Sequence, residues 1–179
     1  MKSLVSLPIL LLLSLATMHG EDPAPGNGQK STARVAFAQY CFWTGEMRLG
    51  QIEGVVRTEA GYFRGQEVTL VEYDPSRISL EQLASQARAA GVADRVHLSA
   101  GVQAATATIG GVTIGEPLDR TYHTAPASDQ KKQLEGTPYA GLKLTPEQAT
   151  KVNAFVRVNP ARAKEWLTAS QRAKLADSR

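Results

Sequence analysis

The segment RVAFAQYCFWTGEMRLG, residues 34–50, decides the fold. Apolar and polar side chains alternate over residues 34–40, which predicts a strand with every second side chain on one face. Residues 41–49 then have the pattern of a helix, and Gly50 is a typical helix end. The pattern therefore predicts that the chain passes directly from a strand into a helix at Cys41.

The residues that follow complete a simple order of elements. Two alternating runs, joined by the turn residues Arg64 and Gly65, predict a β-hairpin over residues 54–73. Ser79 is a typical helix cap, and it precedes a helix over 80–90 and a strand near 95–98. The order strand, helix, strand, strand, helix, strand predicts the α+β class. More specifically, it is typical of the ferredoxin-like split βαβ arrangement (β-α-β-β-α-β), with two helices on one face of an antiparallel sheet.

The chain beyond this core, which extends over about residues 33–100, carries its own signals. Residues 100–116 are small and glycine-rich, which favours a hairpin or loops. Thr145-Pro146 and Asn159-Pro160 are two helix starts. The sequence therefore predicts a C-terminal extension with two helices, the second of which runs to about Leu175.

The N-terminal residues have the layout of an export signal. A lysine is followed by an apolar run, small residues and then a polar stretch rich in proline and glycine. We expect a signal peptide at residues 1–20, a disordered linker at 21–32, and one domain at 33–179. The protein is accordingly expected to be exported, periplasmic or secreted, with no membrane attachment after signal cleavage.

Charge and composition exclude several classes. The formal net charge of +3 in 179 residues is too small to predict nucleic-acid binding, and the lysines and arginines are scattered among acidic residues. His97 and His123 have no cysteine or acid at a metal-ligand spacing, so no metal site is expected.

Cys41 is the only cysteine in the sequence, so the chain can form no internal disulfide. It is either a small buried apolar residue or a thiol with a chemical use. Its position at a helix start favours a reactive thiol, because the free amides there stabilise a thiolate. Phe42 and Trp43 are either core residues or the walls of an apolar recess in front of the sulfur. Glu46 is expected to be a solvent-facing or structural acid.

Several motifs carry a family resemblance. CFWTGE at 41–46 resembles the GCFWxxE signature of the A-type peptide methionine sulfoxide reductases, with Tyr40 in place of the glycine. Similar matches follow in the family's order: GVVRTEAGY at 54–62, EVTLVEYDP at 67–75, ISLEQL at 78–83 and, more weakly, PASDQKKQL at 126–134.

The resemblance implies roles for individual residues. Cys41 would be the nucleophile that attacks the sulfoxide sulfur and becomes a sulfenic acid. Phe42 and Trp43 would bind the methyl group of the substrate. Glu67 would be the acid that acts on the sulfoxide oxygen, a role that also makes chemical sense because this oxygen leaves only when protonated. The implied activity is that of a peptide-methionine (S)-S-oxide reductase acting on oxidised methionine in proteins or on free methionine sulfoxide.

The sequence also departs from the family pattern. The long loop that carries a substrate-binding tyrosine is replaced by residues 63–66. GTPY at 136–139 resembles the family's GTQY, so Tyr139 is the candidate substrate-binding tyrosine, with Tyr122 as an alternative. Tyr62 is expected to pack as a strand aromatic.

The resolving cysteines of many relatives are missing as well. We therefore expect no bound cofactor and an external thiol reductant, either a thioredoxin-like protein or a small thiol. Two other readings stay open: a domain without turnover that acts as a thiol-bearing binding or redox-sensing module, and a thiol peroxidase-like use of Cys41.

Overall fold

The computed structural model describes residues 31–102 and 104–177. The predicted signal peptide and nearly all of the predicted linker lie outside these residues. Within the described part of the chain, no helix has the length and apolar character needed to cross a membrane.

The first six elements follow the predicted order, with boundaries shifted by at most two residues. Phe42 rather than Cys41 is the first helical residue, and Ser79 begins the second helix with a complete capping box. The elements are β1 (Ala33–Ala38), α1 (Phe42–Gln51), β2 (Val55–Phe63), β3 (Gln66–Tyr73), α2 (Leu80–Ala89) and β4 (Arg95–Leu98).

These strands belong to one mixed sheet, which confirms the α+β class. Strand β1 lies between β3 and β4 and is antiparallel to both, and β2 pairs with β3 as a hairpin. Three short strands extend the edges: β5 (Thr108–Ile109), β6 (Val112–Ile114) and β7 (His123–Thr124). The full order is β5-β6-β4-β1-β3-β2-β7, in which only the β4–β6 pairing is parallel.

The two faces of the sheet are buried differently. One face packs against α1 and α2 through side chains such as Phe37, Leu49 and Leu83. The opposite face is covered by Leu118 and Tyr122 from the segment that leads into β7. Because side chains alternate along a strand, each strand contributes to both cores.

Helix α1 lies very close to the sheet. An ideal Cβ atom built on Gly45 would overlap Oγ1 of Thr69 on β3. The absence of a side chain at Gly45 therefore sets how near the start of α1 comes to the strands.

The prediction of two C-terminal helices is wrong, because the described residues up to 177 form three there. Helix α3 (Pro146–Phe155) begins at Thr145 as expected, but the second predicted helix is divided into α4 (Pro160–Glu165) and α5 (Ala169–Asp177). The division occurs at Thr168, whose hydroxyl accepts a hydrogen bond from the backbone of Gln171 while the Gln171 side chain accepts one from the Thr168 amide. This reciprocal cap starts a new helix.

Lys151 on α3 holds the C-terminal end of α1. Its side chain is buried, and its Nζ atom donates hydrogen bonds to the carbonyl oxygens of Gly50 at 2.8 Å and Ile52 at 3.1 Å. A cation at the C-terminal end of a helix also interacts favourably with the helix dipole. Burial lowers the pKa of Lys151 to about 8.

Candidate functional site

Cys41 is the N-cap residue of α1. Its backbone is extended (φ −140°, ψ 111°), its carbonyl oxygen accepts the first helical hydrogen bond from Gly45, and its side chain makes no capping bond. The residue is partly exposed. Cys41 is therefore not a fully buried residue, and its side chain does not cap the helix.

Glu67 reaches the same helix end from the sheet. Its Oε2 atom accepts a hydrogen bond of 2.8 Å from the amide nitrogen of Phe42. That amide belongs to the peptide bond that joins Cys41 to Phe42, so the structure brings the Glu67 carboxyl to the thiol-bearing residue. The local chain explains the placement, because Arg64 and Gly65 turn at positive φ and β3 then starts at Gln66.

Glu67 is also open to solvent on one side. It lines a cleft with a volume of about 370 Å³, together with residues from the end of β1 and the start of β4. The lining includes Tyr40, which is 96% exposed and immediately precedes Cys41. A small molecule can therefore reach the carboxyl from this side.

Phe42 and Trp43 follow Cys41 at the start of α1 and form an aromatic wall outside the lining of this cleft. Phe42 is buried against Ala60 and Ala125, and its ring meets the ring of Tyr62 edge-on at 5.4 Å. Trp43 lies 6.1 Å from the Phe42 ring and remains 36% exposed. Both predicted apolar residues are thus beside the Cys41 position, one in the core and one at the surface.

Three side chains, one each from β3, β2 and β7, lie in a row across the sheet near the start of α1. Tyr62 on β2 lies directly opposite Glu67 on β3, and His123 on β7 lies directly opposite Tyr62. The His123 ring stacks on the Tyr62 ring at 5.4 Å. Tyr62 was expected only to pack as a strand aromatic; its pairing with Glu67 follows from the two-residue turn at Arg64 and Gly65, which sets the register of the hairpin.

Glu46 on α1 holds a segment of the chain, residues 130–132, against the start of α1 and β2. It is fully buried, so the solvent-facing alternative is wrong and the structural one holds. Its carboxylate accepts hydrogen bonds from the backbone amide of Lys131 at 2.6 Å and from the Lys131 side chain, and Lys131 also donates to the carbonyl oxygen of Thr58. A buried acid with an ion-pair partner and a backbone donor is well satisfied.

Residues 130 and 132 of this segment make two further contacts, one with β2 and one with Trp43. The Gln130 side chain accepts a hydrogen bond from the Ala60 amide and donates one to the Ala60 carbonyl oxygen, which satisfies the edge of β2 next to β7. Lys132 places its ammonium group 5.1 Å from the centre of the Trp43 ring. The segment therefore holds the aromatic wall in place.

The two tyrosines proposed from the sequence are not at this site. Tyr139 is buried in the cluster formed by α3, α4 and α5, which corrects its assignment as a substrate-binding residue. Tyr122 packs on the opposite face of the sheet, where its hydroxyl donates to Glu59 at 2.7 Å. Burial and this hydrogen bond raise the pKa of Tyr122. The short GTPY match gave no information on which core the tyrosine would join.

Fold and site together define an α+β protein with a partly exposed cysteine at a helix start, where the amide of the next residue binds a carboxylate and the next two residues are aromatic. The chain is similar to peptide methionine sulfoxide reductases of the A type, as the motifs predict. One relative, the peptide methionine sulfoxide reductase MsrA 1 of Rhizobium meliloti, is 35% identical across 38% of this chain and 40% of its own length. The MsrA of Pseudomonas syringae pv. tomato is 40% identical across 29% of this chain and 34% of its own.

The similarity is confined to part of these proteins. The chain spans less than half the length of the curated relatives that it matches, and no protein-family model matches it. Among solved structures, the methionine sulfoxide reductase A of Corynebacterium diphtheriae is 18% identical, with a TM-score of 0.46 over 67% of this chain and 84% of that one.

Proposed function

We propose that the protein is a peptide-methionine (S)-S-oxide reductase with Cys41 as its nucleophile. The observation that supports this most directly is the hydrogen bond from the Phe42 amide to Glu67, which places a carboxyl group at the thiol-bearing residue. The selectivity for the S epimer comes from the family resemblance.

The reaction would proceed by attack of the Cys41 thiolate on the sulfoxide sulfur. This attack forms a bond between the cysteine sulfur and the substrate sulfur, and Glu67 protonates the oxygen as negative charge develops on it. The hydroxyl group then moves to the cysteine sulfur as the sulfur–sulfur bond and the substrate's sulfur–oxygen bond break: one electron pair forms the new bond between the cysteine sulfur and oxygen, and the other stays on the substrate sulfur, which leaves as the thioether. The balanced result is one thioether and one cysteine sulfenic acid: the substrate sulfur is reduced by two electrons and the cysteine sulfur is oxidised by two.

The apolar wall gives the site its substrate preference. Phe42 and Trp43 would bind the methyl group on the substrate sulfur, and Trp43 is exposed enough to be reached. The rest of the methionine residue would extend from the thiol towards the cleft beside Tyr40 and Glu67. Both protein-bound and free methionine sulfoxide fit this description.

Regeneration requires a thiol from outside the chain, because Cys41 is its only cysteine. A first thiol would condense with the sulfenic acid, releasing water and leaving a mixed disulfide. A second thiol would then release Cys41 as a thiol. A thioredoxin-like protein or a small thiol can supply both equivalents, and no bound cofactor is required.

Two further assignments accompany this proposal. The strand order β4-β1-β3-β2, with α1 and α2 on one face, supports a ferredoxin-like split βαβ core. The N-terminal sequence supports export to the periplasm or out of the cell, which N-terminal sequencing of the mature protein from the exported fraction would test.

The activity is tested by turnover with dithiothreitol as reductant and N-acetylmethionine S-sulfoxide as substrate. We expect wild-type protein to release many equivalents of thioether and Cys41→Ser to release none. Release of no more than one equivalent by the wild type would favour a thiol-bearing binding or redox-sensing module. Full activity in Cys41→Ser would contradict the proposal.

A further inference from the structure

Tyr40 is an aromatic residue whose side chain has no partner among the described residues. It is 96% exposed, and it makes no hydrogen bond or ring contact within that part of the chain. Its two neighbours are held in place: Gln39 is buried and hydrogen-bonded to the Thr69 hydroxyl group at 2.9 Å, and Cys41 is the N-cap of α1. The backbone on both sides of Tyr40 is therefore fixed, and it presents the ring to solvent.

The Tyr40 side chain lies at the cleft that the proposed substrate would enter. Tyr40 and Glu67 line the same cleft of about 370 Å³, and the Glu67 carboxylate accepts a hydrogen bond from the Phe42 amide. Cavities of about 300–1,000 Å³ enclose most of a drug-sized ligand, so this cleft is larger than one methionine side chain requires. Because the methyl group would bind at Phe42 and Trp43, outside the cleft, the cleft can hold the residues that flank the methionine.

The charges around the cleft do not favour a charged residue in the substrate. Glu67 and Asp94 are negative and Arg95 is positive, and all three line the cleft. A flanking acid would meet the two carboxylates, and a flanking base would meet the guanidinium group. The Tyr40 ring instead offers a surface for an aromatic side chain, which can bind it in an offset or edge-to-face contact.

We infer that Tyr40 is a specificity-determining residue that binds the side chain next to the oxidised methionine in a polypeptide, and that it favours an aromatic side chain there. This inference rests on the proposed reductase function. Consecutive Cα atoms are about 3.8 Å apart in both chains, so a substrate residue adjacent to the methionine lies within reach of Tyr40 when the methionine faces Cys41. The motif that CFWTGE resembles has a glycine where this chain has Tyr40, so the contact is a feature of this chain.

Two acetylated and amidated tripeptides test this contact, one with methionine S-sulfoxide between two phenylalanines and one with it between two glycines. With dithiothreitol as reductant, we expect the wild type to have about a 5-fold higher kcat/KM for the phenylalanine peptide. Tyr40→Ala should bring this ratio close to one, whereas Tyr40→Phe, which keeps the ring, should retain it. Val158→Ala is the matched control and should also retain it, because Val158 is an exposed apolar residue that does not line the cleft.

Two results would overturn the role of Tyr40 and leave the proposed reductase function intact. One is an equal kcat/KM of the wild type for the two peptides. The other is a preference for the phenylalanine peptide that persists in Tyr40→Ala, because another part of the protein would then bind the aromatic side chain. Absence of wild-type turnover with both peptides and with N-acetylmethionine S-sulfoxide would overturn the reductase function itself and this inference with it.

Discussion

The Oε2 atom of Glu67 lies 2.8 Å from the amide nitrogen of Phe42, the residue that follows Cys41. This hydrogen bond joins the start of β3 to the start of α1, next to Cys41. The bond satisfies one of the free amides of α1 and fixes the carboxyl at the place where an acid would be needed. The same contact thus has a structural and a proposed chemical consequence, which substitution can separate.

Replacing Glu67 with glutamine should remove the chemistry and keep the structure. The amide oxygen of glutamine can still accept the bond from Phe42, but the side chain cannot transfer a proton. We expect kcat for a methyl sulfoxide to fall by about 100-fold or more, with the midpoint of thermal unfolding nearly unchanged. Glu72→Gln, on the same strand and the opposite face, is the control and should retain activity.

Breaking the buried pair of Glu46 and Lys131 should destabilise the protein. Glu46→Leu leaves the partly buried ammonium of Lys131 with only the Thr58 carbonyl. We expect a loss of about 3 kcal/mol in the free energy of unfolding, measured by urea denaturation. Adding Lys131→Met to this variant should recover part of the loss, and a double variant that is less stable by the full sum of the single effects would contradict the coupling.

Gly45→Ala tests how closely α1 approaches the sheet. The added methyl group would overlap Oγ1 of Thr69, so α1 must shift or Thr69 must rotate. We expect a loss of about 1–3 kcal/mol in the free energy of unfolding. Gly141→Ala is the matched control, because an added Cβ meets nothing within 4 Å there. Equal stability of the two variants would show that α1 is not tightly apposed.

The lowered pKa of Lys151 should make the free energy of unfolding depend on pH. Its pKa is about 8 in the folded protein, whereas an unfolded lysine titrates near 10.4. The unfolded chain therefore binds more protons between these values, and stability should rise as pH increases from about 8 towards 10, by at most about 3 kcal/mol. Urea denaturation at pH 7.5 and 9.5 measures this rise. Lys151→Met should lack it, and an identical pH slope in that variant would contradict the assignment.

The sequence predicted the elements around the site because their signals are local. Alternation over β1 and the hairpin, and the cap at Ser79, are each contained in a few consecutive residues. The break at Thr168 was local as well: threonine is followed three positions later by glutamine, which is a capping signal that the analysis of the sequence missed. The two-residue turn at Arg64 and Gly65 also fixes the register of the hairpin, whereas the pairing of β1 with β3 and β4 joins distant parts of the chain and has no such local signal.

The parts of the site that the sequence did not predict depend on contacts between distant residues. Glu46 is buried because Lys131 folds over it from a position 85 residues away. Tyr62 contacts His123 because the short strand β7 pairs with β2, and no alternating pattern in the sequence predicts β7. Tyr139 was assigned to the site by a short motif, but its position in the chain places it among the C-terminal helices.

A single-turnover reaction without reductant tests whether Cys41 itself reduces the sulfoxide. Protein is mixed with excess N-acetylmethionine S-sulfoxide, and the thioether formed is compared with the oxidation state of Cys41 by peptide mass spectrometry after trapping with dimedone. We expect one thioether per protein and one trapped sulfenic acid at Cys41. Formation of thioether with Cys41 unchanged, or oxidation of Cys41 with no thioether formed, would contradict it.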